Sequence, residues 1–135
     1  MRKCLLCIVF FCLGFNLDAQ RLLTWTPEFP VDNSILSATV DCNKGNQGLM
    51  NFEGGNSNNV YVHVGVITNL STNPTDWRYV KFTWGTADPA ARATPLGNNK
   101  YQYTINGIRS FFSVPAGETI LKVTIIFRNA SGSLK

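Results

Sequence analysis

Histidine, acidic residues and cysteine are scarce in this chain, and each shortage removes a class of chemistry. There is one histidine, His63. Serine-type nucleophilic catalysis needs a histidine held by a carboxylate beside a nucleophile. No motif places a nucleophile near His63, and no G-x-S-x-G elbow occurs. Zinc asks for three or four His, Cys or acidic ligands. His63 and Cys42 fall on different faces of different expected strands. Only eight Asp and Glu residues occur, spread singly over loop-like stretches. Glycoside hydrolysis by a carboxylate pair wants two of them about 5 to 10 Å apart, and no pair suggests itself. No glycine-rich phosphate loop precedes a helical pattern. The twelve Lys and Arg residues form no run or stripe, which argues against a nucleic-acid footprint. The expectation is a non-catalytic chain with no cofactor and no metal.

Long apolar runs are lacking after Phe15. The one such run, Cys4 to Phe15, follows Met1-Arg2-Lys3 and is too short to span a ~30 Å hydrocarbon core comfortably. It ends at Asn16-Leu17-Asp18-Ala19. This is the pattern of a secretory signal peptide over residues 1–19, cleaved after Ala19. The mature domain is then 20–135, secreted or at the cell surface, with no membrane contact after cleavage. Cys4, Cys7 and Cys12 leave with the signal. Cys42 alone remains, so no intrachain disulfide is possible and the domain relies on its core.

What is present is alternation. Asn59 to Gly85, NVYVHVGVITNLSTNPTDWRYVKFTWG, reads as two strands around a polar loop. Val60, Val62, Val64 and Val66 share one face, and Tyr61, His63 and Gly65 the other. In the second strand Val80, Phe82 and Trp84 face inward, while Trp77 and Tyr79 face outward. A period of two marks half-buried strands. Leu22 to Thr26 is demoted to an edge strand or lead-in by Pro27 and Pro30. Ile35 to Cys42 alternates, with Leu36, Ala38, Val40 and Cys42 inward. Asn43 to Asn59 is a long Gly- and Asn-rich connection in which Leu49, Met50 and Phe52 tuck against the rim. Asp41, Asn43, Asn46 and Glu53 supply oxygens there, in no calcium-loop spacing. Asp88-Pro89 can start one helical turn. Lys100 to Ile105, Ile108 to Val114 and Thr119 to Phe127 complete about seven strands, with Leu121, Val123, Ile125 and Phe127 inward on the last. One domain follows: all-β, an antiparallel sandwich, immunoglobulin-like in the broad sense. A small barrel is the alternative.

The positive functional signal is the outward aromatic set, Trp77 and Tyr79 beside Tyr61 and His63. Rings with polar edges stack on the apolar faces of sugars. The competing account is that they stack across the strand pair or lie under a loop.

The runs TWTPEFPVDNS, ATVDCNKGNQGL, VYVHVGVITNLSTNPTDWRYVKFTWG, LGNNKYQYTINGIRSFFSVPAGETI and FRNASGS resemble the N-terminal Ig-like module of large secreted Bacteroidota proteins. Some of those are α-amylase-family glycoside hydrolases, and others carry a type IX secretion sorting domain. The resemblance implies a carbohydrate-module-like accessory domain, binding α-glucan or another polysaccharide or spacing a catalytic domain. The alternative is an adhesion or structural Ig-like domain with no carbohydrate ligand. The family's catalytic and sorting domains have no counterpart in these residues. The strand Thr119 to Phe127 is followed by a turn at Arg128 to Gly132, which implies a returning partner. The reading is therefore a fragment of a longer protein, a sandwich lacking its last strand.

Overall fold

The computed structural model describes residues 21–135, and the expected signal peptide lies outside them. The chain is an all-β sandwich of two antiparallel sheets. Among the described residues the strands are β1 (Leu23–Thr26), β2 (Ile35–Asp41), β3 (Val60–Thr68), β4 (Thr94–Gly97), β5 (Lys100–Asn106) and β6 (Ile120–Asn129). One sheet runs β1-β2-β5-β4; the other is the pair β3-β6. β1 sits at a sheet edge, which suits a strand followed at once by Pro27 and Pro30.

The core forms where the alternating faces meet. Leu36, Ala38 and Val40 of β2 and Tyr101, Tyr103 and Ile105 of β5 are buried against Val60, Val62, Val64 and Val66 of β3. Each such side chain taken from water contributes up to roughly 1.5–3 kcal/mol. Polar residues of the other face pair across the ladder. The Ser37 and Thr104 hydroxyls are 3.0 Å apart, and Gln102 donates to Thr39 at 3.1 Å. Cys42 is buried at the end of β2. Leu49 joins the core and Phe52 packs against it, while Met50 is exposed. The Asp41 carboxylate accepts from Asn43 and pairs with Lys44 and Lys100.

Several expectations are corrected, Met50 against the rim among them. Trp77 to Trp84 is not a strand, and β3 finds its ladder partner in β6. The segment meets the other edge of β3 only locally. Val66 N–H donates to Arg78 O at 3.0 Å, Arg78 N–H returns to Val66 O at 2.8 Å, and Lys81 N–H reaches Val64 O at 3.1 Å. Between these points Tyr79 adopts a left-handed φ of 52°. One such residue breaks the two-residue period. Of the expected inward trio only Phe82 is buried; Val80 and Trp84 are exposed.

Ile108 to Val114 is likewise not a strand. It opens with the short helix α1 (Ile108–Phe112). Ile108 and Phe112, four apart, are both buried, which is helical spacing. Ser113 ends the turn at a φ of 58°. On β6, Phe127 is buried and Val123 and Ile125 partly so, but Leu121 points into solvent at 58% exposure.

β3 is buried on both faces. Its valine face meets the other sheet, and its Tyr61 and Ile67 side chains are covered as well. The cover is the stretch 69–93. Above Gly65 it comes so close that an added Cβ would lie 3.1 Å from Arg78 O and 3.4 Å from the Trp77 Cβ. Glycine at this point admits the covering chain.

Candidate functional site

The outward face of the β3-β6 pair carries the aromatic cluster. Because side chains two apart share a face, Tyr61 and His63 of β3 lie beside Ile126 and Arg128 of β6. The irregular stretch then folds Trp77 and Trp84 over them. Trp77 stacks on His63 with ring centroids 5.9 Å apart and planes 25° apart. Trp84 meets the same imidazole edge-on, at 5.3 Å and 84°. His63 is thus flanked by two indoles, and Trp84 leaves 40% of its surface in solvent.

Arg128 holds this arrangement from below. It is fully buried and has no carboxylate partner among the described residues. Its guanidinium donates to Asn129 O and Ala130 O at 2.9 Å and to Thr83 O and Thr86 O at 3.2 and 3.0 Å. Those carbonyls belong to the two turns that flank Trp84. The same group lies 5.9 Å from the Tyr61 ring and 5.5 Å from the Trp84 ring. Arg92 and Lys135 add cations, over Tyr61 at 5.8 Å and over Trp84 at 5.3 Å. A cation over a ring face gains roughly 0.5–2 kcal/mol, more when desolvated.

Protonation follows from burial. His63 is held below its ordinary pKa, first by desolvation and further by the Arg128 charge, against the pull of the Phe82 carbonyl. Its Nδ1 is buried without a hydrogen-bond partner. At neutral pH the ring is therefore an uncharged, flat stacking surface. Burial also lowers the Arg128 pKa.

The four residues read from the sequence separate into three environments. His63 and Trp77 stand together. Tyr61 lies beneath the cluster, buried, with a cation on its ring. Tyr79 turns away, because its left-handed backbone aims the side chain elsewhere. Its hydroxyl donates to Glu118 at 2.5 Å. Glu118 also accepts from Thr68 and faces Arg78 Nε at 3.3 Å. The Thr68 and Tyr79 hydrogen bonds hold the Glu118 carboxyl below the usual range, with Arg78 adding to them. This is a packed polar latch between β3 and the loop before β6.

Sequence reasoning missed Trp84, Arg92 and Arg128. Trp84 was assigned inward by extending alternation through Tyr79. For Arg128 a signal existed: it continues the even-numbered face of β6 beyond Lys122, Thr124 and Ile126. Among the described residues no group of three His, Cys, Asp or Glu side chains gathers at metal-binding range.

The arrangement offers stacking faces and peripheral cations, a set suited to holding a flat or ring-shaped polar ligand. Compared with known proteins, the chain matches no family model and no curated sequence.

Proposed function

We propose that this chain is a non-catalytic accessory module of a secreted polysaccharide-active protein of the α-amylase type, and that it holds glucan on the Trp77-His63-Trp84 shelf. The observation that carries the reading is the half-open Trp84 indole set against a neutral His63 and stacked Trp77. Such rings pack on the C–H faces of sugars while exposed cations and amides bond the hydroxyls. The residue runs that resemble the Ig-like modules of Bacteroidota amylases support the same assignment.

The test is affinity electrophoresis in gels containing soluble starch. The wild-type chain is retarded, and Trp84→Ala, which melts a few degrees lower for its lost contacts but is folded at the gel temperature, runs as in a gel without starch. A wild-type chain that is not retarded by starch, glycogen or dextran overturns the glucan assignment.

One observation favours the second reading, an adhesion or structural domain. The turn between β1 and β2 exposes Phe29 and Val31, at 86% and 65%, beside Ile35 at the start of β2, at 63%. An apolar tip of this kind is a protein-contact feature. Loss of cell or protein adhesion in Phe29→Ser, with starch retention unchanged, would assign the two surfaces separate roles.

A further inference from the structure

Among the described residues Glu118 is the one buried carboxylate, at 5% exposure, in the loop that leads into β6. An ionised acid leaves water only where its oxygens are taken up. One oxygen accepts from the Thr68 hydroxyl and lies 3.3 Å from Arg78 Nε. The other accepts from the Tyr79 hydroxyl at 2.5 Å. Thr68 is buried too, so the carboxylate is held at the end of β3. Arg78 also sets its guanidinium 5.9 Å from the Tyr79 ring. Two of the three partners of Glu118 therefore follow Trp77 directly in the chain.

The register on β3 shows what this capture does. Val66 and Arg78 form an antiparallel bridge. Continued as a ladder, the bridge would set Tyr79 opposite Gly65, on the face that carries His63. That place is taken by Trp77. Its Cβ comes within 3.4 Å of where a Gly65 Cβ would stand, and its indole runs on to stack with His63. Two aromatics thus compete for one position over a glycine. Tyr79 has left it through a left-handed φ of 52°, which a bulky residue adopts only where its surroundings impose it.

We propose that Glu118 is the positioning residue of the aromatic shelf: by drawing Tyr79 away from β3 it leaves the ground over Gly65 to Trp77 and so holds that indole against His63. The effect on glucan rests on the shelf being the sugar-holding surface. The placement of Trp77 does not. Glu118 touches no ligand in this scheme and acts through Tyr79 alone.

The experiment uses His63, the one histidine of the chain, as reporter. The nuclear Overhauser contact between its ring protons and those of the stacked indole is measured in the full chain, and Trp77→Ala separates it from the contact with Trp84. Glu118→Ala removes the carboxylate, and Tyr79→Phe removes only the hydroxyl that it captures. Ile105→Val, in the other sheet, lowers stability without touching this group. The expected result is that Glu118→Ala abolishes the His63–Trp77 contact, Tyr79→Phe weakens it and Ile105→Val leaves it intact. Starch affinity falls about two- to tenfold in Glu118→Ala, the loss of one aromatic stack. If Glu118→Ala does not fold, Tyr79→Phe decides. A contact of wild-type intensity in either folded variant overturns the proposal, as does full starch retention in a variant that has lost the contact. A wild-type chain that ignores starch, while the two variants still lose the contact, overturns the glucan reading and upholds the placement of Trp77 by Glu118.

Discussion

Arg128 and Tyr61 are register partners across the β3-β6 ladder, and the guanidinium of one lies 5.9 Å from the ring centre of the other. The contact joins a buried charge to a buried aromatic, and the Nη1 and Nη2 donors of the arginine go to four carbonyls of two separate turns, while Nε has no partner among the described residues. Removing the side chain strands those carbonyls. Arg128→Met therefore destabilises the fold by about 2–4 kcal/mol, read as a lower urea midpoint at unchanged slope. Arg128→Lys recovers less than half of that, because an ammonium cannot span the two turns. A change below about 0.5 kcal/mol in the methionine variant would mean that the turns close without the arginine.

Gly132 lies directly on the Trp84 indole. A Cβ there would sit 2.5 Å from Nε1, and the backbone is at a φ of 77°. Gly132→Ala meets both the clash and the strain. The expected loss is about 1–3 kcal/mol, with a red shift of tryptophan emission as the indole is pushed outward. Unchanged emission and stability would place the Gly132 turn away from Trp84 in solution.

Acid acts on this fold in two stages. The folded-state pKa of His63 is depressed by burial, so its stabilising contribution is present above about pH 6.5 and is lost as pH falls through the folded value. Glu118 is depressed by the Thr68 and Tyr79 hydrogen bonds, so its contribution is present above about 4.5 and lost further down. Melting temperature measured against pH should decline below 6.5 and again below 4.5. His63→Phe keeps an aromatic between the indoles but cannot titrate, and should flatten the first decline alone. A first decline of equal size in that variant would assign it to other groups.

Cys42 is an inert thiol. Burial, with the Asp41 charge beside it, pushes its pKa up to about 11, so little thiolate exists at pH 8. A chromogenic disulfide reagent should label the chain under denaturing conditions and leave Cys42 untouched in the native state. Fast native labelling would require that the end of β2 opens.

The elements with a steady two-residue period were legible. β2 and β5 follow their alternation because one face of each meets the core, β3 keeps it in sequence on its valine face although both faces are covered, β6 follows it only from Val123 to Phe127, and Pro27 with Pro30 marked β1 as an edge. Reading failed where one residue broke the period. Nothing in Arg-Tyr-Val announces that Tyr79 will be left-handed, since the conformation is imposed by the crossing over Gly65. Ile108, Ser110, Phe112 and Val114 fit alternation and helix alike, and four-residue burial decided for helix. At the site, His63 and Trp77 were paired by the strand pattern. Trp84 and Arg128 were hidden because their neighbours come from turns far apart in sequence.

The ladder of β3 and β6 has a kinetic consequence. Val60 pairs with Asn129, and most of the domain lies in the loop that this pair closes. Such a contact brings its reward only after a large loss of chain entropy. β1 with β2 and β4 with β5 pair locally, but Ile35 pairs with Asn106 across a loop about as long as the one between Val60 and Asn129. Folding of this domain should therefore be paced by long-range closure in both sheets, with Trp84 dark to the process until Arg128 arrives and draws its two turns together.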